Sequence, residues 1–137
     1  MSPEQIGIVA GSWRMATGQR ALLLGAMGER LGDCDGWPAD ARALWLLDAV
    51  TALEPLLSRP AELAEAAAPI ATCRRTCGRD NLVDEGDALL AGLDQVLGPL
   101  DERARRAWRQ AWHLLAEIIA GMTLAPFAPA PQKVTAP

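Results

Sequence analysis

Residues 101–122 read DERARRAWRQAWHLLAEIIAGM. Wound as a helix, they place Ala104, Trp108, Ala111, Leu115, Ile118 and Met122 on one stripe at three- and four-residue spacing. Trp112 falls at the margin of that stripe. His113, the only histidine in the chain, points away from it, beside Glu102, Arg106, Arg109 and Glu117, and is read as a surface residue. A helix this amphipathic needs apolar partners, and the rest of the chain supplies them in the same period.

Residues 83–97 form the preceding helix, with Leu89, Leu90, Leu93, Val96 and Leu97 apolar and Gly98-Pro99 closing it. At the other end, Ser2 can cap a helix, Pro3 suits its first position and Gln5 completes a capping box. Ile6, Val9, Ala10 and Trp13 give that helix its apolar face. A second helix is expected over 19–31, with Leu22, Leu23, Ala26, Met27 and Leu31 apolar. A corner follows at 32–40, holding Cys34, Gly36, Trp37 and Pro38. A third helix runs to Leu53, capped by Asp40, with Leu44, Leu47, Val50 and Leu53 inward. Pro55 ends it. Two short helical pieces follow, 58–68 and 70–77, separated at Pro69, and Gly78 stops the second. No segment alternates with strand period. The expected fold is all-α, one domain over residues 1–123, with a Pro/Ala-rich extended or disordered tail over 124–137.

Composition agrees. Half of the 137 residues are apolar, tyrosine is absent and phenylalanine occurs once. Alanine and leucine dominate while β-branched residues are sparse, which favours helix over strand. A chain of this length can bury a core without disulfides or a metal. The net charge of −4 argues against broad nucleic-acid binding, which needs a basic surface. No apolar run approaches the ~18 residues needed to span a bilayer, and the N-terminus carries no signal-peptide pattern. Cys34, Cys73 and Cys77 have no framework spacing and are read as reduced thiols in a cytoplasm. No second histidine can serve as a base, and no paired carboxylates or phosphate loop stand out. A non-enzymatic role is therefore expected.

Two stretches carry a family resemblance. Ser2-Pro3-Glu4-Gln5-Ile6, followed by Val9 and Ser12-Trp13, resembles the opening helix of bacterial flavohaemoglobin-type globins. Gly86-Asp87-Ala88-Leu89-Leu90, then Val96-Leu97-Gly98, Ala107-Trp108, Ala111-Trp112 and Leu115-Ala116-Glu117, is similar to that family's last helix pair. Glu29-Arg30-Leu31 and Trp37-Pro38-Ala39-Asp40 fit its second helix and following corner more loosely. The resemblance covers residues 2–122 and implies a globin-like helical fold with a haem between its helices.

The chain departs from that family where iron is held. The family's axial histidine precedes the penultimate helix, and Thr76 falls near its place. Its second-helix tyrosine corresponds to Gly28, and the polar residue early on the next helix to Ala41 or Arg42. The aromatic that wedges haem at the corner corresponds to Trp37. Haem iron takes histidine, thiolate, methionine–histidine or tyrosinate, so Cys77 is the one candidate for an atypical ligand, with Arg74, Arg75 and Arg79 as nearby cations that lower a thiol's pKa or receive propionates. Cys77-Gly78-Arg79-Asp80 also resembles the Cys-x-Arg-Asp signature of phycobiliproteins, which implies a bilin linked at Cys77, with Arg79 on a propionate and Asp80 on pyrrole N–H groups. The candidate tetrapyrrole contacts are thus Cys77, Arg74, Arg79, Asp80, Trp37 and Arg42. The bland readings stand beside them: Cys73 and Cys77 as small buried hydrophobes, the arginines as a solvated helix end, and the tryptophans as core that fills a vacated haem cavity. The expectation is a globin-like protein without haem or another cofactor, acting as an interaction or regulatory subunit. Its partner is a protein or a second copy, the tail over 124–137 is a contact arm, and neither nucleic acid nor membrane is engaged. Haem binding through Cys77, and then bilin binding, are the alternatives.

Overall fold

The computed structural model describes residues 1–34, 36–73 and 81–124. Six α-helices account for nearly all of these residues: α1 (Pro3–Thr17), α2 (Arg20–Arg30), α3 (Ala39–Leu53), α4 (Pro60–Cys73), α5 (Asn81–Leu97) and α6 (Glu102–Leu124), with a 3-10 turn at Glu54–Leu56 after α3. The all-α expectation holds for the described residues, and none of their helices is long and apolar enough to cross a membrane. Residues 125–137, most of the expected tail, lie outside them.

The α1 cap forms as its sequence dictates. Gln5 N–H donates to Ser2 Oγ at 3.1 Å, and Ser2 N–H to Gln5 Oε1 at 3.0 Å. The α2–α3 corner is a tight turn in which Cys34 and Trp37 exchange both backbone hydrogen bonds at 2.8 Å. That turn brings Asp33 round to accept from Ala39 N–H at 2.9 Å. The first-turn amide of α3 is therefore capped by Asp33 and not by Asp40, which lies one residue inside the helix.

Helix α2 packs most heavily on α5, α3 lies between α2 and α4, and α6 lies against α4, α1 and α5. The α2–α5 crossing is close because Gly92 has no side chain. A Cβ there would stand 2.8 Å from Met27 Cγ and 3.1 Å from Leu23 Cδ1. The buried residues of α6 are Ala107, Trp108, Ala111, Trp112, Leu115, Ile119 and Ala120. This face is broader than the expected stripe: Ala104 and Ile118 are only half-buried, and Trp112 is inside. Contact with three neighbouring helices explains the width. Helix α3 departs in the same direction. Leu44, expected inside, is 42% exposed, while Arg42, Ala43, Leu46 and Ala49 are buried. Two flanking helices cover it on separate sides, so no single stripe describes it.

Pro69 does not separate two helices. Helix α4 runs through it, because Leu63, Ala67 and Ala71 continue one buried face across it while Pro69 itself is exposed. Pro69 cannot donate an amide to the Glu65 carbonyl, and both residues are exposed.

The α5–α6 corner is closed by Asp94. It accepts from Arg105 Nη2 through both carboxylate oxygens at 2.8 Å and from Leu100 N–H at 2.9 Å. Partial burial pushes the Asp94 carboxyl up, but the Arg105 hydrogen bond, the Leu100 amide and the Arg105 charge together hold it below the usual range. A depressed carboxylate stabilises the fold above its unfolded pKa, and that contribution is lost as pH falls through its folded pKa. Asp94→Asn is expected to cost about 1 kcal/mol at neutral pH, the low end for a charge-assisted contact because the pair is partly exposed. In urea unfolding, the gap to the parent chain should close as the solution is acidified.

Candidate functional site

The positions singled out for a tetrapyrrole divide in two. Cys77, Arg74, Arg79 and Asp80, with Thr76, lie outside the described residues. Trp37 and Arg42 are described, and both stand at the α2–α3 corner. Arg42 is one turn into α3 and 2% exposed; Glu85, near the start of α5, is 0% exposed, and these are the two buried charged residues among those described. Arg42 Nη2 lies 3.5 Å from Glu85 Oε2. Its Nη1 donates to the Gly32 carbonyl at the end of α2. Arg42 Nε is buried without a hydrogen-bond partner among the described residues. Arg42 thus joins the α2 end, α3 and α5 in the interior.

Beside it, Trp37 meets Trp45 edge to face, with ring centroids 5.9 Å apart at 75°. The Trp45 indole N–H donates to the Ile70 carbonyl of α4 at 3.1 Å. A single side chain therefore spans from α3 to α4. On the α2 side, a Cβ placed at Gly28 would lie 4.0 Å from Ala43 Cβ, ordinary van der Waals contact between the two helices.

The indole N–H groups of the other three tryptophans are bonded, as that of Trp45 is. Trp13 donates to Thr51 Oγ1 at 3.2 Å, Trp108 to Ser12 Oγ at 2.9 Å and Trp112 to the Leu82 carbonyl at 2.8 Å. Buried indoles with their N–H groups bonded act as fixed packing elements. Trp112 presses against α5 where Gly86 leaves room; a Cβ there would come within 2.5 Å of Trp112 Cδ1.

Helical phase carried a signal for Glu85 that the polar run Asp84-Glu85-Gly86-Asp87 concealed. Glu85 lies three residues after Leu82 and four before Leu89, both buried, so it falls on the inward face. His113 is exposed as expected. Among the described residues no three His, Cys, Asp or Glu side chains gather as a metal site. What these residues assemble is a buried ion pair that links the α2 end, α3 and α5, and an indole that links α3 to α4. No family model, no curated protein and no solved structure matches this chain.

Proposed function

We propose that this chain is a globin-related helical protein whose interior takes no tetrapyrrole and which acts through its surface as a non-enzymatic interaction or regulatory subunit. The observation that carries the reading is Trp45. Its indole bridges α3 to α4, between the helix that would bear the polar contact to a gas ligand and the one leading to the expected iron-ligand position. The Arg42–Glu85 pair beside it supports the same reading. Arg42, a candidate for a propionate or gas ligand, is engaged with Glu85 and Gly32. A porphyrin held at Trp37 and Arg42 would compete with the contacts that Trp45 and Arg42 make. Separating a buried charge from its partner costs on the order of 3–5 kcal/mol.

The test is an absorption spectrum of protein purified after expression with haem in excess. The expected sample is colourless, with a cooperative thermal transition. A Soret band that disappears in Cys77→Ala would establish the haem alternative instead. Zinc-enhanced fluorescence of the denatured chain on a gel would establish a covalent bilin.

A further inference from the structure

Helices α2 and α3 lie side by side and run in opposite directions. Arg20, at the start of α2, shares a hollow with Leu47 and Thr51 of α3, and Arg14 of α1 also borders it. Glu29, near the end of α2, shares another with Ala39 and Asp40 at the start of α3. This second hollow, of about 520 Å³, is otherwise lined by small and apolar residues, among them Leu24, Gly25, Ala43 and Leu44. Leu44 is 42% exposed, and a Cβ placed at Gly25 would meet nothing within 4 Å. Leu22, 46% exposed, lies on the same outer face of α2 as Gly25 and Glu29, three and seven residues before them. One face therefore has an apolar middle, a cationic end and an acidic end. None of Arg20, Glu29 and Asp40 forms an ion pair among the described residues. Arg14 is opposed by the charge of Glu54, so Arg20 is the cation that this end offers.

We propose that this face binds a second copy of the chain through an antiparallel, two-fold interface. Charge decides the occupant. A two-fold axis perpendicular to the face, near Gly25 and Leu44, exchanges its ends, so Arg20 of each copy meets Glu29 and Asp40 of the other. The ends are about 14 Å apart along α2 at ~1.5 Å per residue, beyond the screening length of about 8 Å at physiological salt. Each end therefore answers to its own counterpart. A partner with one sign of charge would satisfy one end and oppose the other, whereas a second copy brings both signs already spaced to match. The small residues of the hollow let the two surfaces approach closely, and Leu44 of each copy enters the open space above Gly25 of the other. The inference gives a surface and a partner to the interaction role proposed above and rests on that reading. The two are tested apart, since absorption reads the interior and mass reads the face.

Sedimentation equilibrium of the full chain reads the association directly. The expected parent mass rises reversibly with concentration from one chain to two and no further. Arg20→Glu sets acid against acid, and Glu29→Arg sets base against base; each should raise the dimer dissociation constant about tenfold or more. Both exchanges suit the α2 dipole, an acid at its start and a base at its end, so the far-ultraviolet dichroism should stay native. Leu44→Glu, at the exposed middle of the face, should weaken the dimer likewise. The decisive result comes from combination. A one-to-one mixture of the Arg20→Glu and Glu29→Arg chains again pairs opposite charges at both ends and should recover much of the lost affinity. A parent that stays at the mass of one chain overturns the proposal and leaves the face to a different protein. So does a dimer indifferent to all three variants, one that the single charge variants break and the mixture does not restore, or a mass beyond two chains, which an open head-to-tail contact would give.

Discussion

Glu85→Ala is expected to destabilise the protein by about 3–5 kcal/mol, the usual cost of removing one partner of a buried ion pair. Arg42 is 2% exposed, and without Glu85 it keeps only the Gly32 carbonyl among the partners described for it. A guanidinium in that position has little access to water that could replace the lost carboxylate. Domains of this size are held by about 5–15 kcal/mol in total, so the variant should lose a large fraction of its stability, read as a lowered urea midpoint. The double variant Arg42→Met/Glu85→Leu separates charge from packing. Apolar residues of similar volume remove both desolvation costs, and such exchanges are often neutral or stabilising. The double variant should therefore be clearly more stable than Glu85→Ala. Equal losses in the two proteins would mean that the pair acts through shape rather than charge.

Trp108→Ala should cost a similar amount, about 3–5 kcal/mol, the range for truncating a buried tryptophan. The indole is 1% exposed and lies 5.6 Å from the Trp13 ring at 57°. It also locks α6 to α1 through a short relay: Trp108 N–H donates to Ser12 Oγ at 2.9 Å, and that hydroxyl donates to the Ile8 carbonyl at 2.6 Å. Truncation removes the ring, opens a cavity between α1 and α6, and leaves Ser12 without its donor. Trp108→Phe separates these effects. It keeps much of the ring volume, loses the N–H, and should cost about 1–2 kcal/mol, the worth of one hydrogen bond with some packing loss. Denaturant unfolding of the two variants reads the difference directly.

How far the sequence could be read depended on how many neighbours each helix has. The α1 cap was legible to the atom, because Ser2, Pro3 and Gln5 act within one turn. Helix α6 was legible as an amphipathic helix with His113 outside. Its full width was not, because contact with α1, α4 and α5 at once also buries Trp112 and Ile119. Leu44 misled because the period of α3 admits several apolar faces, and the choice among them is made by α2 and α4. Pro69 misled because a local rule about proline was outweighed by the continuous face of Leu63, Ala67 and Ala71. The Asp33 cap depends on a turn that brings together residues six apart.

The candidate site was legible in part. Trp37 and Arg42 were picked for the corner where they stand, but their contacts were not foreseen. Glu85 was overlooked because two aspartates, Asp84 and Asp87, and Gly86 surround it in sequence. Trp45 was read as core without its bond to α4, since a pairing 25 residues apart leaves no local trace.

Titration of the purified chain with hemin, followed by quenching of its tryptophan fluorescence and by the Soret region, tests the proposed haem-free interior most directly. A porphyrin seated among Trp37, Trp45 and Arg42 would lie close enough to quench the indoles around it. With Trp45 bridging α3 and α4, hemin should give only weak, non-saturating quenching and the spectrum of the free compound. Saturation at one hemin per chain, with a Soret band diagnostic of an axial side-chain ligand, would contradict the account.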